Sequence, residues 1–398
     1  MRDIRKYEGL PSVDRIAVNS KLVLSLALLI PVLLVSSALG QSDTTRPLRA
    51  RMRPINPEEM KEFEPEPDSH VLEGRWPGEV DSWTMMRLRL RGSDRECIAV
   101  VSREGLEVRR LSGDSWQTIT RVPSNLFEDD FWDCSKSQWA TGDVNNDGWD
   151  EVVICAGDTM RVLGWDGTRF RARNARLPRP VEQVRVGDVD GDRKNELVFF
   201  APDVPPKGNE GSRYHVIVTR WDGARLRKVW DDGMSLGYAH RNMPDFLMLI
   251  ADVKNVGYGQ VLVSREQSDV SPTDYDLLVW NKVAGRLERT DSFQISDHFV
   301  PGRNHIHSAP YVSGRIRACD KEGTTYLSAV QQVQGKKYSE SHSVLLRLRG
   351  DSLLDIRTMF KLFAEGSCFV NADGKGVGLL LVWRPMFEEY TQYRLFRL

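Results

Sequence analysis

The chain is predicted to be an all-β protein, a ring of six repeated four-stranded units, on three observations. Two acidic nine-residue loops start at Asp143 and Asp188. Each loop runs directly into a short apolar, β-rich segment. Glycine turns between alternating apolar residues recur in phase with them.

The loop Asp143-Val144-Asn145-Asn146-Asp147-Gly148-Trp149-Asp150-Glu151 places oxygen side chains at positions 1, 3, 5 and 9, namely Asp143, Asn145, Asp147 and Glu151. The second loop repeats the arrangement with Asp188, Asp190, Asp192 and Glu196. The backbone carbonyl of the seventh residue, Trp149 or Lys194, adds a further ligand. Six or more oxygens form the shell that Ca²⁺ takes, whereas Mg²⁺ requires stricter octahedral geometry. One or two structural Ca²⁺ sites are therefore expected. An EF-hand does not fit, because its loop has twelve residues and lies between helices. Position 6 is Gly148 in the first loop and Arg193 in the second, so a left-handed backbone there is easy in one and strained in the other.

After the loops come 151–155 and 196–200, continuous apolar runs of the kind that form buried strands. Weaker copies of the unit lie at 252–263, 318–330 and 369–383, with a remnant at 91–101. Taking the place of Gly148 as a marker, the copies fall at Ser93, Gly148, Arg193, Gly257, Gly323 and Gly374, roughly 45 to 65 residues apart. In this alignment the last copy has Phe369 and Val377 at its outer positions, and the loop at Asp252 carries Lys254 and Val256 where oxygens are needed. Those loops are expected to turn without metal.

The hairpin signals are Gly113-Asp114, Asp166-Gly167, Asp222-Gly223, Ala284-Gly285 and Gly350-Asp351. Each unit thus reads as inner strand, acidic loop, second strand, connection, third strand, glycine turn and fourth strand, which is one blade of a β-propeller. Six blades are countable, with seven as the alternative. The sixth ends at Leu398 before its own fourth strand. An open sheet edge is an aggregation hazard, so residues 70–76 are predicted to close the ring by pairing with the C-terminal strand.

The loops at 143–155 and 188–200 resemble FG-GAP/VCBS repeats of the integrin-α N-terminal type, and the looser resemblance extends over about residues 69–398. That family's pattern ends in aspartate at position 9, where this chain has Glu151 and Glu196. The resemblance implies a β-propeller with structural calcium in the loops between first and second strands. It does not fix a function.

Residues 1–40 hold five Lys/Arg and three Asp/Glu, and their basic start, the apolar run 22–35 and the small residues Ala38-Leu39-Gly40 predict a signal peptide cleaved before Gln41. An uncleaved anchor is the alternative, the apolar run being near the lower limit for a span. The expected location is secreted or periplasmic, with no membrane span once the signal is removed. Residues 41–68 are rich in Pro, Arg and Glu and predict a disordered linker, leaving 69–398 for the propeller. Removing the leader moves the formal net charge from −1 to −3, so no basic field is present to attract nucleic acid. The five cysteines lack metal-type spacing and are expected as buried small hydrophobes. A Cys319–Cys368 disulfide is the alternative in an exported protein.

In a blade of alternating strands the acidic loops lie on one face of the ring, and the inter-blade connections on the other. Those connections carry Phe131, Trp132, Tyr238, His240, Arg241, His305 and His307. Flat rings beside fixed polar groups suit sugar rings or a protein loop, so a carbohydrate or protein ligand is expected on that face. Phe131 and Trp132 acting as plugs between blades is the structural alternative. A polysaccharide lyase on the same scaffold would use His240, His305 or His307 with Arg241 or Arg303, and His305-x-His307 could ligate a transition metal. The sequence carries no Ser/His/Asp, Cys/His or phosphate-loop signature, so no catalytic residue is assigned. A docking platform for envelope assembly is the third reading.

Overall fold

A computed structural model describes residues 61–62, 72–77, 85–102, 105–124, 137–202, 214–236, 248–264, 274–294, 311–334, 339–349, 352–360, 366–383 and 390–398. Two short segments come first, β1 (Lys61–Glu62) and β2 (Leu72–Pro77). Blade one is β3 (Met85–Leu88), β4 (Cys97–Ser102), β5 (Gly105–Ser112) and β6 (Ser115–Pro123). Blade two is β7 (Ser137–Gly142), β8 (Glu151–Ala156), β9 (Thr159–Trp165) and β10 (Phe170–Arg176). Blade three is β11 (Gln183–Gly187), β12 (Glu196–Pro202), β13 (Tyr214–Trp221) and β14 (Leu226–Leu236). Blade four is β15 (Met248–Ala251), β16 (Gln260–Ser264), β17 (Asp274–Asn281) and β18 (Arg286–Gln294). Blade five is β19 (Tyr311–Lys321), β20 (Thr324–Gln334), β21 (Ser339–Arg349) and β22 (Ser352–Phe360). Blade six has β23 (Gly366–Val370), β24 (Gly378–Trp383) and β25 (Tyr390–Arg397).

Six separate antiparallel sheets result. The first strand of each blade lies against the first strand of the next, and β23 returns to β3, so the six inner strands form a closed circle. This is a six-bladed β-propeller. Its sixth sheet is completed from the other end of the chain, because β2 pairs antiparallel with β25 from Leu72↔Leu395 to Pro77↔Tyr390. The segment predicted to close the ring does so. Lys61 and Glu62, from the predicted linker, lie parallel to Arg357 and Thr358 on the outer edge of blade five. Among the described residues no helix is long and apolar enough to cross a membrane.

The second strands explain the continuous apolar runs. A sheet packed on both faces needs apolar residues at every position, and alternate side chains then serve opposite neighbours. In β8, Val152 and Ile154 pack with Leu88, Ala99 and Val108 of blade one. Val153 and Cys155 pack with Leu197, Phe199 and Ile217 of blade three. The same division recurs in β12, where Val198 and Phe200 face Val261 and Leu278 of blade four. Fourth strands such as β10 are mostly exposed, and their sequence is accordingly polar.

One sequence expectation, and one alternative offered for the cysteines, are corrected. The copy at 318–330 holds no acidic loop, because β19 and β20 pair up to Lys321↔Thr324 and leave only a two-residue turn. Glu322 and Gly323 take φ values of 51° and 72° there, as a tight hairpin turn requires. The Cys319–Cys368 disulfide is not formed, and Cys97, Cys155, Cys319 and Cys368 are buried free thiols. Cys319 belongs to the core between blades five and six, whereas Cys368 faces blade one. The sixth sheet stands between them. Burial pushes the Cys97 and Cys319 thiols up to about 11, which keeps them neutral and unreactive. Cys134 lies outside the described residues.

Trp76 of the closing strand is 2% exposed. Its ring packs 5.2 Å from Tyr393 and edge-on to Trp116 at 6.1 Å, with the Arg109 guanidinium 4.7 Å over its face. Trp76→Ala should destabilise the protein by about 3–5 kcal/mol, measured as a lowered urea midpoint. An unchanged midpoint would mean that the ring holds without this strand.

Candidate metal centre

The loop of blade two connects β7 to β8 and is shaped from within. Asp143 at position 1 accepts the backbone N–H groups of Asp147 (2.9 Å) and Gly148 (2.8 Å). Asn145 Oδ1 accepts the N–H of Asp147, and Asp147 Oδ1 that of Trp149. Glu151 at position 9 reaches back to the N–H of Val144 at 3.0 Å. Short acidic side chains capturing amides two to five residues on are what lets so tight a loop form. The turn also needs two left-handed residues, Asn146 (φ 60°) at position 4 and Gly148 (φ 94°) at position 6.

Blade three repeats this. Asp188 accepts Gly191 and Arg193, Asp190 accepts Asp192, Asp192 accepts Lys194, and Glu196 accepts Val189. The left-handed pair is Gly191 (φ 75°) and Arg193 (φ 69°). Arg193 thus adopts the conformation expected to strain it.

The two sites differ in charge balance. Acceptor atoms of Asp188, Asp190 and Glu196 all lie within 4.8 Å of one another. Into that group reaches Arg220 from β13, donating to Glu196 at 2.8 Å, Asp190 at 2.6 Å and Asp192 at 2.7 Å. In blade two the residue beside Glu151 on the third strand is Gly164, where a Cβ would meet only Glu151, at 3.7 Å. Glu151 is held by Val144 N–H and by the Asn145 side-chain amide at 2.6 Å. The only arginine on this loop's position-5 acid is Arg91 of blade one, 2.8 Å from Asp147 among the described residues. Burial pushes the Glu151 carboxyl up to about 8, with the neighbouring charges of Asp147 and Asp143 adding to the rise. Glu196 rises to about 7, again through burial first, with the Val189 N–H and Arg220 opposing the rise and Asp190 adding to it.

Blade four keeps the backbone of the loop and its first acid, Asp252, but no other. Asp252 accepts Val256 and Gly257, and Asn255 and Gly257 supply the left-handed pair. Lys254 and Gln260 replace the acids at positions 3 and 9, and Gln260 Oε1 accepts the Lys254 N–H at 2.9 Å. In blade six the alignment on Gly374 is off by two residues. Asn371, not Phe369, is position 1, since it accepts the N–H of Gly376 five residues on and Asp373 accepts Lys375. Gly374 and Gly376 form the left-handed pair, and the loop is one residue shorter, with Val370 paired to Gly378.

Sequence inspection missed the residue at position 8. It binds the first loop residue of the preceding blade. Asp150 N–H donates to Arg89 O at 2.9 Å while its carboxylate accepts the Arg89 N–H and guanidinium. Glu96 N–H donates to Asn371 O, and its carboxylate accepts Asn371 N–H at 2.6 Å. Asn195 holds Asp143 O through its side chain, and Gly259 N–H holds Asp188 O. At the next seam Thr325 Oγ1 donates to Asp252 O. A belt of hydrogen bonds therefore runs from loop to loop across five seams. Only the acidic character of Asp150 and Glu96 was visible in the sequence, not their partners.

The predicted ligand residues Phe131, Trp132, Tyr238, His240, Arg241, His305 and His307 lie outside the described residues. Their segments join β6 to β7, β14 to β15 and β18 to β19.

No protein-family model and no curated protein matches the chain. The FG-GAP/VCBS resemblance therefore rests on the loop residues. Among solved structures the chain is similar to an Agrocybe aegerita lectin described as specifically recognising non-reducing terminal N-acetylglucosamine. The match has 12% identity and a TM-score of 0.37, covering 82% of this chain and 80% of that one. So distant a likeness carries no statement about this chain's ligand.

The acid pair sets a pH dependence. A carboxyl whose folded pKa exceeds its unfolded value favours folding when protonated, so stability is greatest at low pH and is lost as the pH rises. In chelator, stability should fall from near the unfolded value of about 4.3 up to the folded value of about 8 for Glu151, then level off. A flat chelator profile over that window would contradict the buried, uncompensated Glu151. Separately, Asp150→Ala should cost about 1 kcal/mol by removing the acceptor of the Arg89 N–H, the half-exposed Arg89 guanidinium being solvated in its place, whether or not calcium is added.

Proposed function

We propose that the protein is an exported, calcium-braced β-propeller that acts as a binding module for a carbohydrate or protein ligand on the face opposite its acidic loops. The observation that carries this reading is the use of the loop face for bracing. Its acids are bonded within each loop or to the preceding blade, as at Asp143, Asp150, Asp188 and Glu96. The rings, imidazoles and guanidinium group of the sequence, from Phe131 to His307, belong to the segments at the other ends of the strands.

The residues of blade two fit a calcium ion. Asp143, Asn145, Asp147 and Glu151 share one loop, and the buried Glu151 carboxylate is disfavoured by two neighbouring acids rather than relieved by a base. A bound dication would supply that relief and tie four loop positions together. The Trp149 carbonyl is the remaining protein ligand this reading expects. At about 100 times its dissociation constant, one such ion stabilises the fold by roughly 2.7 kcal/mol.

Asp147→Ala should lower the melting temperature in calcium buffer, and chelator should bring the wild type to a similar level. Identical melting curves with and without chelator would remove calcium from the reading. For the ligand, the intact protein should be retained on one member of a panel of immobilised glycans and purified envelope proteins. Trp132→Ala should lose that retention while Asp150→Ala keeps it, and the opposite pattern would put the ligand on the loop face.

A further inference from the structure

The third strand of each blade decides which charge meets the loop. One step beyond the pair Val152↔Leu163 stands Gly164, beside Glu151. One step beyond the equivalent pair Leu197↔Thr219 stands Arg220, beside Glu196. The two loops otherwise share the hydrogen bonds from the amides of positions 2, 5, 6 and 7 to the acidic or amide side chains at 9, 3, 1 and 5, and their left-handed residues at positions 4 and 6. A single guanidinium in blade three bonds the acids at positions 3, 5 and 9, the same oxygens that would surround a metal. A planar group with five donors can satisfy several carboxylates at once.

We infer that Arg220 is the resident cation of the blade-three loop and stands in the place of the ion, so that the ring takes calcium in blade two only. On this reading Asp188, Asp190, Asp192, Lys194 and Glu196, expected as a second calcium site, hold Arg220 instead of an ion, and the comparison rests on the calcium reading of blade two. The acids of blade three do not admit a dication while the guanidinium is among them, since two cations would share one set of oxygens. Blade six gives an independent instance. Arg397, paired with Gly378 just as Arg220 stands beside Glu196, binds Asp373 at position 3. There the ninth position has lost its acid and the fifth is Lys375, so one arginine faces one carboxylate. In blade four the third-strand residue is Val279, beside a loop with Lys254 and Gln260. Arginine stands beside the acids of blades three and six and is missing in blade four, whose loop keeps only the acid at position 1, Asp252. Blade two is the exception, with acids and a glycine.

The test is calcium titration of the intact protein by calorimetry, together with melting curves, for wild type, Arg220→Ala and Gly164→Arg. Wild type should bind one calcium per chain. Arg220→Ala should bind two, melt about 5–10 °C lower in chelator, and recover in millimolar calcium. Gly164→Arg should bind none while melting in chelator as the calcium-loaded wild type does. Two ions in the wild type, an Arg220→Ala loss that calcium does not restore, or an ion retained by Gly164→Arg would each overturn the inference. A wild type that binds no calcium would overturn the reading of blade two alone, and Arg220→Ala still decides, because calcium restoring its stability upholds the role of Arg220. Arg220→Gln, which keeps the packing of the stem, serves if the alanine variant does not fold.

Discussion

Every other feature of this molecule depends on the burial of both faces of each sheet against its neighbours. A lone four-stranded sheet with apolar residues on both sides has no stable existence in water, and six of them solve the problem only by standing in a circle. The circle then dictates the sequence of each strand by its radius. The second strand is buried at every position, as in Glu151–Ala156, whereas the fourth strand Phe170–Arg176 is open to solvent. Burying a Val, Leu, Ile or Phe side chain is worth about 1.5–3 kcal/mol, and the described seams gather from six to thirteen buried apolar residues from two blades. The seams are where the fold is held.

Polar chemistry is added to that frame at one rim. Acids at position 1 capture amides and make the tight loops, and residues at position 8 link each loop to the blade before it. The outer hairpins use the same device, since Asp166, Asp222 and Asn281 each accept two backbone N–H groups of their turns. In Asp166 and Asp222 those amides hold the carboxyl below its usual range. Charge is therefore a local tool for shaping the backbone here, and only secondarily a means of holding an ion.

Much of this was legible in the sequence because its causes are local. Asp-Gly turns, the apolar second strands and the acid spacing of 143–151 and 188–196 all report contacts within a few residues. The closing strand was legible for a different reason, namely that a ring cannot end on an unpaired edge. What escaped was whatever joins residues distant along the chain. Arg220 meets Asp192 across 28 positions and Asp150 meets Arg89 across 61. In blade six two glycines close together disguised the register, since Asp373-Gly374 imitates Asp147-Gly148 until the backbone shows which residues are left-handed. In blade five Gly323 marked a turn correctly but not its size. The ligand residues on the connections have no such structural reading.

The pairing of Leu72 with Leu395 makes the first blade-forming residues and the last ones neighbours. Joining them requires closing almost the whole chain into one loop, an entropic cost that grows only slowly with length but must be met before any reward is collected. Until β25 has been synthesised, β2 has no partner and the sixth seam has no apolar wall. The ring is therefore a mechanical latch as well as a fold: it should snap shut late and release as one unit.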